Sequence, residues 1–427
     1  MQGAATVRRL GSSALLRGSI LLLIASTGGN AGAYVFNVIA GRALGPADYG
    51  STLALVSVLS ILAVPATAMQ TMTAAQVSRA ALRSAEAVDD EVDALRRLSD
   101  LLALAVTALL LLAALPLARL FAIDSPGVVA MTGVAAGVGI LLATARGVTQ
   151  GHRQFGRLGA ALIAEPILRL AVLVAALAAG LRVGAPILAF LVGYAGIYLV
   201  LRAAQPRKAT ATRERQTWRR LREIVPYTCA VTVATALYNA DVLVARVALS
   251  PEEAGTYGAG AVLGRAVFFL GAAASMALLP LSASAETPRT RMRYLLEALV
   301  FTTGVAGVPA LAYALAPRLA IAATFGAAYA HLQADLWRFG ASMLLYALAN
   351  LALSYLIALR RWRVIAPLLA VQLAQVALLA VAHHDVRAIA DAQITVMALM
   401  NLLTWPMVVS ALRAPDANHG RTRPSGG

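Results

Sequence analysis

Charge is scarce in this chain. Only 13% of its 427 residues are Asp, Glu, Lys or Arg, against about a quarter in ordinary soluble domains. Hydrophobic residues make up 60%, more apolar surface than a water-soluble protein of this length can bury, so the solvent it fits is lipid. Cysteine is almost absent. Cys229 stands alone, which excludes an intramolecular disulfide and a thiolate metal site. Histidine is scarce too, and the one adjacent pair, His383-His384, reads as a short solvated loop. Three further absences narrow the function. No stretch alternates with the period of two of a barrel strand. No glycine-rich phosphate cradle occurs, which excludes ATP hydrolysis as a drive within the chain. No nucleophile–base pair or metal cluster appears. The formal net charge of +16 invites a nucleic-acid reading, but the cations fall in short clusters between apolar runs and leave no basic domain to form a groove.

Apolar runs of about 20 residues, the length a helix needs to cross the bilayer core, occur twelve times. They are 16–40, 51–73, 98–118, 127–145, 159–180, 186–204, 224–248, 258–283, 295–316, 335–358, 364–382 and 389–411. In lipid the backbone must satisfy its own hydrogen bonds, so these runs are helices. Arg8, Arg9 and Arg17 followed by "AGA" resemble a signal peptide, yet apolar sequence continues to Ala40, and the first helix is expected to stay. With the N-terminus inside, 27 basic residues lie on the cytoplasmic side and 7 on the other. That asymmetry predicts a multi-pass cell-membrane protein with both termini cytoplasmic. The connection 202–223 is rich in arginine and would lie against the anionic inner leaflet. The segment 78–97 reads as a second long loop or a surface helix.

The chain writes similar punctuation twice. With Tyr34 set against Tyr238, Asn37 meets Asp241 and Arg42 meets Arg246. After one inserted residue Pro46 meets Pro251 and Gly50 meets Gly255. Gly45-Pro46 and Pro251 end one helix and start the next. Six helices per half is an even number, so both halves enter from the same side, a parallel repeat. The expected fold class is an all-α polytopic membrane protein of about 12 transmembrane helices in two six-helix lobes. The expected parts are an N-terminal lobe (1–205), a basic linker (206–223), a C-terminal lobe (224–412) and a cytoplasmic tail (413–427).

Four stretches carry a family resemblance: "NVIAGRALGPADYGSTLALVSVL" (37–59), "RGVTQGHRQFGRLGAALIAEPILRL" (146–170), "LYNADVLVARVALSPEEAGTYGAGAVL" (237–263) and "FGAAYAHL" (325–332). They resemble Wzx-type flippases of the multidrug/oligosaccharidyl-lipid/polysaccharide (MOP) exporter superfamily. The resemblance implies two lobes around a cavity that opens alternately to either side. It implies a polyprenyl-diphosphate-linked oligosaccharide as substrate and polysaccharide polymerase machinery as a partner beside membrane lipids. No nucleic acid, metal or organic cofactor is implied; a coupling ion, H+ or Na+, is open. Twelve expected spans are two fewer than the resemblance would imply for a lipid II flippase, which lowers that reading.

Ionisable groups in membrane helices are costly and mark function or pairing. Glu165 and Arg169 are four apart, acid first, on one face of the fifth helix. They either neutralise each other or line a cavity. Asp241 shares a face with Tyr238 and suits a coupling cation, a proton or sugar hydroxyls. Arg265, early in the eighth helix, is the sharpest candidate for a diphosphate, because a guanidinium fork matches phosphate oxygens. Asn30 and Asn37 are two turns apart and can meet sugar hydroxyls or knit helices together. Arg42 and Arg246 sit near helix C-terminal ends, as rim anchors or as cavity groups. Gly28, Gly29 and Gly32 soften the first helix or let it pack closely. Pro65, Pro226 and Pro280 are hinges or breaks. Two other functions remain open: a cation-coupled drug or metabolite exporter of the same superfamily, which would favour acids in its cavity, and a polyprenol-dependent glycosyltransferase or ligase, which would need a sizeable outer loop.

Overall fold

The computed structural model describes residues 2–205, 239–284, 287–359, 361 and 364–413. Among them there is no β-strand; the elements are helices and short turns. Helix α1, Gln2–Ala80, is 79 residues long. Unbroken it would measure about 120 Å, roughly four times the hydrocarbon core. It breaks at Gly45, whose φ of 73° and ψ of 173° are non-helical. Only glycine takes such a conformation without a steric penalty, and Pro46 then restarts the helix where no N–H is needed. The arms 2–45 and 46–80 are therefore separate spans.

There follow α2 (Ala85–Leu112), α3 (Ala114–Leu120), α4 (Pro126–Gly151), α5 (Phe155–Ala178) and α6 (Gly184–Ala203). Residues 239–248 are helical (α7). Then come α8 (Pro251–Ser284), α9 (Pro288–Leu315), α10 (Pro317–Ala323), a 3-10 segment (Ala327–Ala334), α11 (Leu336–Ala358), α12 (Ile365–Val381) and α13 (Val386–Arg413). Seven described helices are long and apolar enough to cross a membrane, eight with the bent pair α2–α3. The first of them contains the Gly45 break and α12 is a shorter apolar helix. Each of the twelve apolar runs falls on helix, the run 224–248 being described from Asn239 onward.

The repeat is legible in the backbone. Helices α2 and α9 are both 28 residues long, and each opens on a hydroxyl cap. Ser84 Oγ accepts from Ala87 N–H at 3.1 Å and Thr287 Oγ1 from Thr290 N–H at 3.2 Å, each satisfying an orphan donor of the first turn. A seven-residue helix follows each of them, α3 (bent 55° from α2) and α10. Past these, Ala122 (φ 46°) and Gly326 (φ 88°) both take the left-handed conformation that closes a helix end. The Gly45–Pro46 break is matched by a break at 249–250. There Ser250 and Glu253 form a reciprocal cap, Ser250 N–H donating to the carboxylate at 3.1 Å and Glu253 N–H to Ser250 Oγ at 3.3 Å. The fold is an all-α polytopic membrane protein built on a parallel duplication. One expectation needs correction. Only 81–84 interrupts the helix between the second and third spans, and the acidic 85–97 continues directly into α2. Val88, Val92 and Leu95 pack there on Val77 and Val148, so its apolar stripe is buried by neighbouring helices.

The described chain divides into two compact units. The first comprises 1–259 with 324–329, the second 260–323 with 330–427. Within the first, α4 packs against α1, α2 and α6. Lipid supplies no hydrophobic drive between helices, so close contact of small residues must hold them. Two glycine pairs spaced four apart, Gly133/Gly137 and Gly147/Gly151, do this on α4. A Cβ on Gly133 would lie 2.7 Å from Leu110 Cβ of α2, and one on Gly151 2.6 Å from Val77 Cβ of α1. The second unit uses interhelical polar contacts. Asn401 Nδ2 of α13 donates to Leu345 O of α11 at 2.8 Å, Trp405 Nε1 donates to Asn401 Oδ1 at 3.1 Å, and buried Gln375 donates to Gln393 at 3.3 Å.

Candidate functional site

The first unit holds a charged cluster on its apolar helices α4 and α5. Pro166 of α5 packs on Gly32 of α1, where a Cβ would stand 2.9 Å from the proline. That close approach brings the Glu165–Arg169 face of α5 under α1. Glu165 Oε1 pairs with Arg169 Nε at 3.1 Å, and Glu165 Oε2 pairs with Arg146 Nη2 of α4 at 3.4 Å. The three side chains are 9–14% exposed. Arg169 leans on Gly193 of α6, with its guanidinium 4.3 Å from the centre of the Phe190 ring and 5.5 Å from that of Phe36. The two rings meet edge to face at 5.3 Å, and Phe190 meets Tyr194 at 5.7 Å.

Two cations share one anion here, so the cluster carries an excess positive charge. Its hydrogen bonding is also incomplete. Arg146 Nε is buried and has no hydrogen-bond acceptor among the described residues, whereas Arg169 Nε faces Glu165 Oε1. A guanidinium donor left so is costly. It offers an anion a charged, directional site.

Arg146 is the member that sequence reasoning missed, for it reads as a loop cation just past the span 127–145. Helix α4 in fact runs to Gly151. Arg146 lies five residues before that end and Glu165 ten after the start of α5. The offset is about 7.5 Å along the helices, within an extended arginine's reach. The signal was the hairpin register rather than any motif.

Asn37 and Asp241, equivalent in the repeat, receive equivalent bonds. Tyr49 Oη donates to Asn37 Oδ1 at 3.1 Å, and Tyr257 Oη donates to Asp241 Oδ2 at 2.9 Å. In each case the tyrosine stands beyond the helix break. Asn37 also donates to Ala33 O at 2.8 Å. Asp241 is 3% exposed. Arg246 does not pair with it: its Nε donates to Phe121 O at 2.7 Å and its Nη2 to Ala122 O at 2.9 Å. Arg42 Nε donates to Thr324 O. Asn30 is exposed on α1, and Arg265 is half-buried on α8 in the second unit. Tyr238, Cys229, Pro226 and the linker 206–223 lie outside the described residues. No group of three His, Cys, Asp or Glu side chains gathers among the described residues to hold a metal.

Solved structures share the fold. An inward-facing multidrug resistance MATE family transporter of the MOP superfamily superposes with a TM-score of 0.73 at 16% identity, over 95% of this chain and 100% of that one. The lipid II flippase MurJ, in an inward closed conformation, superposes with a TM-score of 0.75 at 12% identity, over 92% and 87%. A MOP superfamily transporter from Pyrococcus furiosus, described by a reversed polarity of its binding pocket, gives 0.60 at 16%, over 93% and 96%. The chain shares the fold of these three proteins. No curated protein matches the sequence. The family described as "Polysaccharide biosynthesis protein" matches residues 15–286, and the chain belongs to that family. It is a multi-pass helical membrane protein with the fold of these transporters.

Proposed function

We propose that this transporter moves the head group of a polyprenyl-diphosphate-linked oligosaccharide from the cytoplasmic to the outer leaflet of the cell membrane. It does so by alternating access, and supplies cell-surface polysaccharide synthesis and its polymerase. The observation that carries this reading is the excess positive charge of Arg146–Glu165–Arg169, with the buried Arg146 Nε donor left over. A diphosphate crossing low dielectric needs compensating charge, and guanidinium forks match its oxygens in pairs. A binding site for cationic drugs would be expected to carry the opposite sign. Membership in a polysaccharide biosynthesis family supports the same substrate class. The arginine asymmetry of the loops supports cytoplasmic termini.

Buried Asp241 favours a second element, coupling to H+ or Na+. It would serve a cation-coupled exporter equally well. Lipid extracts separate the two readings. A strain lacking the gene is expected to accumulate a complete polyprenyl-diphosphate repeat unit by mass spectrometry. Wild type clears it, and Arg169→Lys, made to the same level, clears it more slowly, because lysine keeps the charge and loses the fork. A deletion strain with no accumulated intermediate defeats the flippase reading.

A further inference from the structure

Arg42 and Arg246 occupy equivalent places in the repeat, and each reaches carbonyl oxygen just past a seven-residue helix from the other half of the sequence. Arg246, in the second half of the sequence, donates to Phe121 O and Ala122 O, just past α3 of the first half. Arg42, in the first half, donates to Thr324 O, just past α10 of the second. Phe121-Ala122 and Phe325-Gly326 correspond at the same offset of 204 that relates the two arginines, and Ala122 and Gly326 share a positive φ. Each half thus grips a helix end of the other. All of these residues lie within the first compact unit.

Two more contacts join the same segments. Gly50 and Gly255, again equivalent, meet backbone to backbone: a Cβ on Gly50 would stand 2.8 Å from Gly255 N, and Gly255 faces Pro46 O. Phe325 and Tyr329, 1% and 0% exposed, close on Tyr49 with ring centres 5.6 and 6.3 Å away, while Tyr329 Oη donates to Gly41 O at 2.9 Å.

We propose that Arg42 and Arg246 form a reciprocal clasp that holds one face of the transporter shut, and that both arginines must let go for that face to open. The chemistry suits repeated use. The last carbonyls of a helix carry partial negative charge and lack intrahelical partners. A guanidinium binds them by charge-assisted hydrogen bonds without the full charge neutralisation of a buried ion pair. Gly50 and Gly255 meet backbone to backbone, so that one contact parts without side-chain repacking. The inference rests on the transporter fold and is independent of the substrate.

The test is thiol labelling of the purified full chain in detergent, in a Cys229→Ser background. Leu53→Cys reports the seam: Leu53 is 1% exposed and lies against Gly258. Leu173→Cys, at a buried position on α5 that is 0% exposed, is the control. Arg42→Ala with Arg246→Ala is expected to raise the maleimide reaction rate of Leu53→Cys by about tenfold or more, given the hydrogen bonds to charged groups removed. Each single change should give part of it, and Leu173→Cys should not respond. An unchanged Leu53→Cys rate overturns the proposal, as does an equal rise at both reporters, which would mean general loosening. If the alanine pair does not accumulate, Arg42→Lys with Arg246→Lys is read the same way. It keeps the charge and loses the fork, so a rise at Leu53→Cys alone is expected, and no change refutes the clasp.

Discussion

Glu165→Gln strips the anion from between two arginines and keeps the shape of the side chain. At 3.1 and 3.4 Å and an effective dielectric of about 20, each attraction is about 5 kcal/mol before dehydration is subtracted. Dehydration of all three groups offsets much of that. The measured cost of removing one partner from a buried cluster is about 3–5 kcal/mol, because the remaining charges stay uncompensated. Arg146 and Arg169 would then face each other as like charges, Arg169 held over Phe190 and Arg146 on α4. A loss of this size lowers the thermal unfolding midpoint in detergent by about 5 °C for a chain of this length. Differential scanning fluorimetry on purified protein reads it. A second arm asks about the anion: inorganic pyrophosphate should recover more of the midpoint in Glu165→Gln than it adds in wild type, since the variant has gained net positive charge. A midpoint within about 1 °C of wild type, below the shift expected for even 1 kcal/mol, would refute the view of these three groups as one coupled cluster. A shift without pyrophosphate recovery would leave the cluster structural and remove it as a phosphate site.

Two smaller tests concern the backbone. Gly255→Ala places a methyl group on Pro46 O and should cost about 2 kcal/mol or more as the crossing is forced apart. Gly28→Ala meets nothing within 4 Å and should be neutral or stabilising by up to about 1 kcal/mol; paired thermal melts compare them. At high pH, Tyr329 gives a signed expectation. It lies outside the spans, and burial raises its pKa above the ordinary tyrosine value. The folded state therefore holds its proton more tightly than the unfolded chain. That stability is fully present below about pH 10 and falls as pH rises toward the folded value. Tyr329→Phe should flatten the alkaline limb of a stability–pH curve.

The helices were readable because lipid imposes one length and one backbone solution on every span. The Gly45–Pro46 break was readable because glycine takes a non-helical backbone without penalty and proline restarts a helix. The duplication could be seen in Arg42 and Arg246, and the backbone extends it to Ala122 and Gly326, where no side-chain identity reveals it. The i,i+4 spacing of Glu165 and Arg169 showed their shared face. What stayed hidden depends on packing between distant segments. Arg246 reaches Phe121 across 125 residues, and nothing in local spacing encodes that register. Arg146 was concealed by its place at a helix end, where composition reads loop. The acidic stretch 85–97 was concealed by its polarity, since its buried valines carry the helix while its charges dominate the count.

The most direct measurement is translocation itself. Purified protein is reconstituted into liposomes carrying a labelled polyprenyl-diphosphate oligosaccharide in both leaflets, and an enzyme added outside modifies the exposed sugar. Without protein, only the outer-leaflet share reacts. The account predicts that the protein brings the inner-leaflet share to the enzyme as well, more slowly in Arg169→Lys. If the accessible share stays at the outer-leaflet value under both a proton and a sodium gradient, the chain does not flip this lipid.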